Sequence, residues 1–304
     1  MDMLTQLNKA MAYVEEHIEN DLALANVSSV TVYSPYHFGR LFYYVAEVPL
    51  SEYIRKRKLS LAGMKLQSGE VKVIDLAVLY GYDSADSFTR AFVKQHGITP
   101  SSARRKGVNL TIFPPLTFQI KIQGAKAMNW RIEEKEAFEV FGLERIFGRA
   151  DINSGKVPMF WTDCHNDGSF EKLYDAAGGK RDPDGRPTSH TKEGMCLINA
   201  ICDYRDMEND NFPYMICAFK KADTNTDGYV VATVPKATWA VFRSDNFGEG
   251  LGKEVPKLFG RAYSEWLPTS GYDRATGPDM EFYYHTADGN FYEEVWLPVV
   301  KKSA

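Results

Sequence analysis

Tyr80-Gly81-Tyr82-Asp83-Ser84-Ala85-Asp86-Ser87-Phe88-Thr89-Arg90-Ala91-Phe92 is the stretch whose reading decides the fold of the first third of the chain. Asp83-Ser84 places side-chain oxygens just before a run that can be helical, where the first N–H groups of a helix lack partners. Phe88 and Phe92 are four apart and share a buried face, while Arg90 lies well round the helix towards solvent. The pattern stands once more, 50 residues earlier, in Tyr33-Ser34-Pro35-Tyr36-His37-Phe38-Gly39-Arg40-Leu41-Phe42. Ser34, Phe38, Arg40 and Phe42 match Ser84, Phe88, Arg90 and Phe92, with Ser34 able to cap and Pro35 able to take the first helical position. The sequence thus predicts a duplicated helical unit presenting one arginine each time.

Outward from these segments, apolar residues keep helical spacing and Gly or Pro falls mainly at segment ends. Helices are expected over roughly 3–18, 22–30, 34–46, 50–67, 73–80 and 84–96, with a short one after Pro100. A short helix, a tight turn and a second helix is the arrangement that sets the second helix in a DNA major groove. Adjacent groove segments lie about 34 Å apart, and the helix at 50–67 would span roughly 27 Å as a spacer. Charge agrees mildly: thirteen Lys/Arg stand against eleven Asp/Glu before Gly107, and 23 against 29 after it, within a net charge of −4.

These two segments, with the closing Gly97-Ile98-Thr99-Pro100-Ser101, resemble the two helix-turn-helix signatures of the AraC/XylS family over about residues 4–106. The resemblance implies a transcriptional regulator that reads double-stranded DNA in two adjacent major-groove segments, with RNA polymerase as a further partner. The family's groove-facing positions fall on Tyr36, Gly39 and Arg40 in the first reading helix and on Asp86, Ser87 and Arg90 in the second. Arg40 and Arg90 are expected to be exposed and to engage guanine O6 and N7 bidentately; His37 is a candidate phosphate contact. Gly39 brings no side chain where the family often has a polar reader, and Asp86 would repel phosphate yet can accept from a cytosine amine. The run Arg55-Lys56-Arg57-Lys58 offers phosphate contacts or a solvated helix face.

After Lys106 the texture turns to alternating, aromatic-rich strand patterns such as 117–122 and 137–141. Pro114-Pro115 marks the boundary, giving a head at 1–107, a linker at 108–126 and a second domain at 127–304. Further strands are expected at about 194–203, 214–221, 229–243, 279–285 and 291–300, helices in parts of 157–177 and 253–266, and a surface loop at 178–193. Strand, helix, strand, strand occurs twice. The fold class is multidomain: an all-α double helix-turn-helix head, then an α+β domain of two similar halves with a groove between them.

From Trp130 on, Phe138–Leu143, Val157–Trp161, Trp266–Tyr272, Pro278–Tyr283 and Glu294–Val299 resemble, in order, GyrI-like effector-binding domains, which follow this kind of head in Rob-type regulators. The resemblance implies a groove in which aromatics surround an acidic residue and hold lipophilic, often cationic, compounds. Strand alternation puts Glu294 with Trp296 and Glu281 with Tyr283, and a carboxylate beside aromatic faces suits an organic cation. Glu294 is the first choice for the anchor, with Trp296, Glu281, Tyr283, Trp161 and Tyr214 as lining; Glu293 should face away, towards solvent. A different class of function stays open, since some GyrI-like domains resemble hydrolases of reactive electrophiles, in which Glu294 would activate water; the leading reading is not an enzyme.

Other signals carry less. Cys164, Cys196, Cys202 and Cys217 show no zinc spacing and read as buried thiols, so no metal or cofactor is expected. Gly248-Glu249-Gly250-Leu251-Gly252 lacks a P-loop ending and reads as a connection. No apolar run is long enough for a membrane span and no signal peptide opens the chain, so a cytoplasmic location is expected.

Overall fold

The computed structural model describes residues 3–302 except 20, 21, 23, 34, 70, 106, 120–126, 149, 150, 152–154, 184–187, 189–193, 208–210 and 249, with backbone alone for 24, 36 and 37. The chain divides into two compact units, Met1–Lys121 and Ile122–Ala304.

The first unit is helical: α1 (Met3–Glu16), α2 (Leu24–Ser29), α3 (Pro35–Ala46), α4 (Leu50–Ser68), α5 (Val73–Leu79), α6 (Ala85–His96) and α7 (Pro100–Ala103). The duplicated phenylalanines anchor the two halves. Phe38 and Phe42 are fully buried, with the Phe42 ring 5.9 Å from that of Tyr53; Phe88 and Phe92 join Leu59, Leu66, Leu76 and Tyr80 in the other half. Ser84 caps α6 by accepting from Ser87 N–H, and Gly97, at φ 73°, ends it in the left-handed conformation that glycine adopts without a Cβ penalty. Thr99 caps α7, with Pro100 in its first turn. Ser34, expected to cap α3, lies outside the described residues.

Residues 108–119, expected as part of the linker, carry no regular structure yet are fastened along the head. The Asn8 amide both donates to Phe118 C=O (3.0 Å) and accepts from Phe118 N–H (2.8 Å), and the Phe118 ring stands edge-on to Phe42 at 5.9 Å. The Tyr53 hydroxyl accepts from Leu116 N–H, that of Ser60 from Phe113 N–H, and Arg57 donates to Phe113 C=O at 2.6 Å. A Cβ at Gly63 would lie 2.9 Å from the tip of the Leu110 side chain, so the strap packs closely on α4 at this glycine. The expected strand at 117–122 does not form over 117–119, because Asn8 takes the backbone groups of Phe118 that a ladder would use.

The second unit is an antiparallel sheet with helices on one face. Its elements are β1 (Asn129–Lys135), β2 (Phe138–Gly148), α8 (Lys156–Asn166), α9 (Ser169–Ala176), β3 (Asn199–Cys202), β4 (Asn211–Phe219), β5 (Val230–Val234), β6 (Ala237–Arg243), α10 (Val255–Arg261) running on through a π-helical turn (Ala262–Trp266), α11 (Leu267–Thr269), β7 (Tyr272–Arg274), β8 (Asp279–His285) and β9 (Phe291–Lys301). The sheet order is β1-β6-β9-β8-β3-β4-β2-β5, with β7 beside β9. Strand-helix-strand-strand therefore does occur twice, as β2-α8/α9-β3-β4 and β6-α10/α11-β8-β9, and the halves meet where β3 pairs β8. The single strand expected at 229–243 is two: Pro235-Lys236 breaks it, sending β5 to the β2 edge and β6 to the other half. β1 likewise crosses to pair β6. No described helix is long and apolar enough to cross a membrane.

Candidate DNA-reading and ligand-binding sites

In the second reading helix, Asp86 and Arg90 are exposed on one side of α6 while Phe88 and Phe92 are buried on the other. Ser87 is half-buried, and its hydroxyl donates to Ser84 C=O at 2.8 Å and faces Ser84 N–H at 3.3 Å, so it serves the helix start. In the first, Arg40 departs from expectation. It is 3% exposed, its guanidinium 5.5 Å from the ring of Tyr44 one turn on, because an arginine four residues before an aromatic can fold back along its own helix. Gly39 is buried; the side chains of Tyr36 and His37 lie outside the described residues.

The basic run on α4 is largely committed within the head. Arg57 forms a buried double bridge to Glu15 (2.9 and 2.6 Å), and hydrogen bonds from Arg57 and Tyr53 hold the Glu15 carboxyl below its usual range although burial pushes it up. Arg55 is bidentate to Glu52 within its own helix.

In the second unit, cross-strand register sorts the expected ligand residues. Glu281 stands opposite Val295 and Tyr283 opposite Glu293, on the face that carries the helices; Glu294 stands opposite Phe282 and Trp296 opposite Met280, on the other. Four of the six expected residues meet on the helix face. The carboxylate of Glu281, 7% exposed, accepts from the hydroxyls of Tyr214 (2.8 Å) and Tyr283 (2.9 Å). The indole N–H of Trp161, half-buried on α8, donates to Tyr214 at 3.0 Å, and its ring stands edge-on to Tyr283 at 5.6 Å. Burial and the neighbouring carboxylate push both phenols well up, so they stay protonated and donate. Ala200 of β3 is the cross-strand neighbour of Glu281, which places this centre where the two halves join.

Glu294 is not in that centre. Its carboxylate receives Arg131 bidentately (2.6 and 2.9 Å), the indole N–H of Trp296 (3.0 Å) and the hydroxyl of Tyr284 (3.3 Å). Grouping Glu294 with Tyr283 and Trp161 is therefore corrected: residues 281 and 294 have opposite parity once β8 and β9 are paired. Arg131 and Tyr284 were not singled out from sequence, and with Arg131 and Glu294 163 positions apart no local spacing signals the pair.

Glu293 does face the other way, yet not to solvent. It is fully buried under α10, accepting from the N–H groups of Gly252, Glu254 (3.0 Å) and Val255 (2.9 Å), and burial raises its carboxyl. The glycine-rich connection thus ends at a helix start capped by the chain's own carboxylate. Cys164, Cys202 and Cys217 are buried and Cys196 half-buried, with burial raising the Cys164 thiol. Among the described residues no acidic, His or Cys group could hold a metal.

Residues 27–106 match a helix-turn-helix domain family, and residues 128–300 match the GyrI-like family, described as a small molecule binding domain. The chain is an AraC-type regulator with a GyrI-like domain. "Transcriptional regulator Rob" of Salmonella typhimurium is 35% identical over 95% of this chain and 93% of its own length. "Right origin-binding protein" of Escherichia coli K12 is 26% identical over the same shares. "Regulatory protein SoxS" of Escherichia coli K12 is 35% identical over 32% of this chain and 90% of its own length, matching one domain's worth of sequence. As a member of this family the chain is a DNA-binding transcriptional regulator whose second unit is a small-molecule-binding domain.

Proposed function

We propose that this regulator responds to a lipophilic organic cation bound at the Glu281 centre, and that α3 and α6 read two adjacent major-groove segments of its operator. One observation carries the ligand reading: a buried carboxylate, hydrogen-bonded by two tyrosines and roofed by a half-buried tryptophan, at the junction of the halves. Removing a carboxylate from water is costly, and an aromatic-walled carboxylate regains most when a cation meets it. Glu294, the first choice from sequence, is the lesser candidate for this ligand, because four donors already engage it. Burial speaks against the hydrolase reading at Glu294, which is 2% exposed, since a general base must reach the water or substrate whose proton it takes. The second unit thus acts as a sensor rather than an enzyme, with Trp161, Tyr214 and Tyr283 shaping its site.

On the DNA side, Arg90 and Asp86 are the exposed readers of α6, and Tyr36, His37 and Arg40 belong to the corresponding stretch of α3. RNA polymerase is a further protein partner in this reading.

Calorimetric titration of the full chain with a benzyltrialkylammonium ion and with its neutral carbon isostere tests the ligand reading. Glu281→Gln is expected to weaken the cation by about 1.5–3 kcal/mol, tenfold or more in Kd, and to spare the neutral compound. Equal losses for both compounds, or a loss confined to Glu294→Gln, would remove Glu281 as the anchor. Incubation of the wild type with an epoxide or other reactive electrophile is expected to return the compound unchanged.

A further inference from the structure

The face of the sheet turned from the helices gathers charge among core residues. Glu294, 2% exposed, shares this face with the hydrophobic cluster of Trp239, Val241, Phe282 and Trp296 and receives the four donors described above. The Arg131 guanidinium lies 5.9 Å from the centre of the Trp296 ring, and the Lys135 ammonium 5.3 Å from the same ring. Arg243, the cross-strand neighbour of Glu294, lies 3.9 Å from the centre of the Tyr292 ring, which stacks on Tyr284 at 4.4 Å. A carboxylate set among electron-rich rings is a receptor for planar cations, and guanidinium fits it bidentately. In this chain the protein's own cations fill it.

Two features make the occupant displaceable. Arg131 is 42% exposed, so its guanidinium stands at the mouth of the site. It is carried by β1, an edge strand that among the described residues pairs with β6 alone and whose alternate residues towards this face, Arg131, Glu133 and Lys135, are charged, so on this face little apolar burial holds the strand down.

We propose that Glu294, Trp296 and Tyr284 form a second binding site, selective for small alkylguanidinium cations, which Arg131 occupies at rest and which an external guanidinium enters by displacing β1. The site is on the opposite face from Glu281 and does not depend on what binds there. β1 is also the first described element of the second unit, so its release alters the strand through which the described chain enters the sheet.

The test is titration of the full chain with ethylguanidinium, with ethylurea as the neutral control, followed by indole fluorescence and by amide hydrogen exchange. In the wild type, ethylguanidinium is expected to bind weakly and saturably and to speed exchange in β1 while β3 and β8 keep their protection; ethylurea does neither. Arg131→Ala is expected to bind ethylguanidinium about tenfold or more tightly, because a tethered competitor at high effective concentration has been removed. Adding Glu294→Gln to that variant abolishes the gain. Equal affinity in wild type and Arg131→Ala, binding that survives Glu294→Gln, or a wild-type chain that shows no response below denaturing concentrations each overturns the proposal. Should Arg131→Ala fail to fold, Arg131→Gln replaces it, and unchanged β1 exchange in the wild type at saturation overturns the proposal by itself.

Discussion

Single side chains separate two arginines that the repeat makes look equivalent. Arg90 is exposed on α6, so Arg90→Ala is expected to weaken operator binding by about 1–3 kcal/mol, relax one base preference and leave thermal stability unchanged. Arg40 is buried against Tyr44, so Arg40→Ala is expected to lower the stability of the head by roughly 1–2 kcal/mol, with any loss of DNA binding accompanied by a lower Tm. Anisotropy titrations beside thermal melts distinguish the two; an unchanged Tm for Arg40→Ala would mean that its burial contributes nothing. Asp203 gives a pH test. It is buried at φ 63°, and burial together with nearby Asp279 raises its carboxyl well above the ordinary range. An acid whose folded pKa is raised contributes its stability in full below the unfolded pKa, and loses it as pH rises through the folded value. Asp203→Asn keeps the shape and tolerates the left-handed backbone, so its Tm advantage over wild type is expected to grow from pH 5 to pH 8. An advantage that is constant across that range would show that Asp203 does not titrate there.

At the level of elements, connecting segments do more than join. The strap at 108–119 satisfies Asn8, Tyr53, Arg57 and Ser60 and covers Phe42. A fragment ending at residue 107 loses those hydrogen bonds, although Tyr53 and Arg57 keep Glu15 and Ser60 keeps Lys56 C=O, and is expected to be roughly 2–4 kcal/mol less stable than one ending at 121. Urea unfolding of both fragments measures the difference; equal midpoints would show that the strap is dispensable. This dependence was illegible in the sequence, where Pro114-Pro115 read as a boundary and 117–122 as a strand, because the groups that bind the strap lie on α1 and α4 and nothing local to it announces them. The α6 start was legible, since Ser84 and Ser87 are three apart and make a capping box from local geometry alone.

On the scale of the whole molecule, a regulator must couple its two units energetically, and coupling is reciprocal. A cation at the Glu281 centre is expected to change the operator Kd of the full chain by about 5- to 150-fold, the range of ordinary coupling energies, and DNA to change the cation Kd by the same factor. The isolated head, residues 1–121, should show no such response; anisotropy titrations with and without the cation decide it, and a full chain that is equally indifferent would mean that ligand and DNA are uncoupled. By itself the sequence determined the double helical head, the two related halves of the second unit, and which neighbours along a strand share a face, because helical and strand periodicity and local capping act over a few residues. Only the tertiary structure decided which faces coincide: that Glu281 joins Tyr214 and Trp161 while Glu294 joins Arg131, that Glu293 caps α10, and that Arg40 is covered. Those outcomes hang on the register between strands and on partners far apart in the chain, where a shift of one residue moves a side chain to the other side of the sheet.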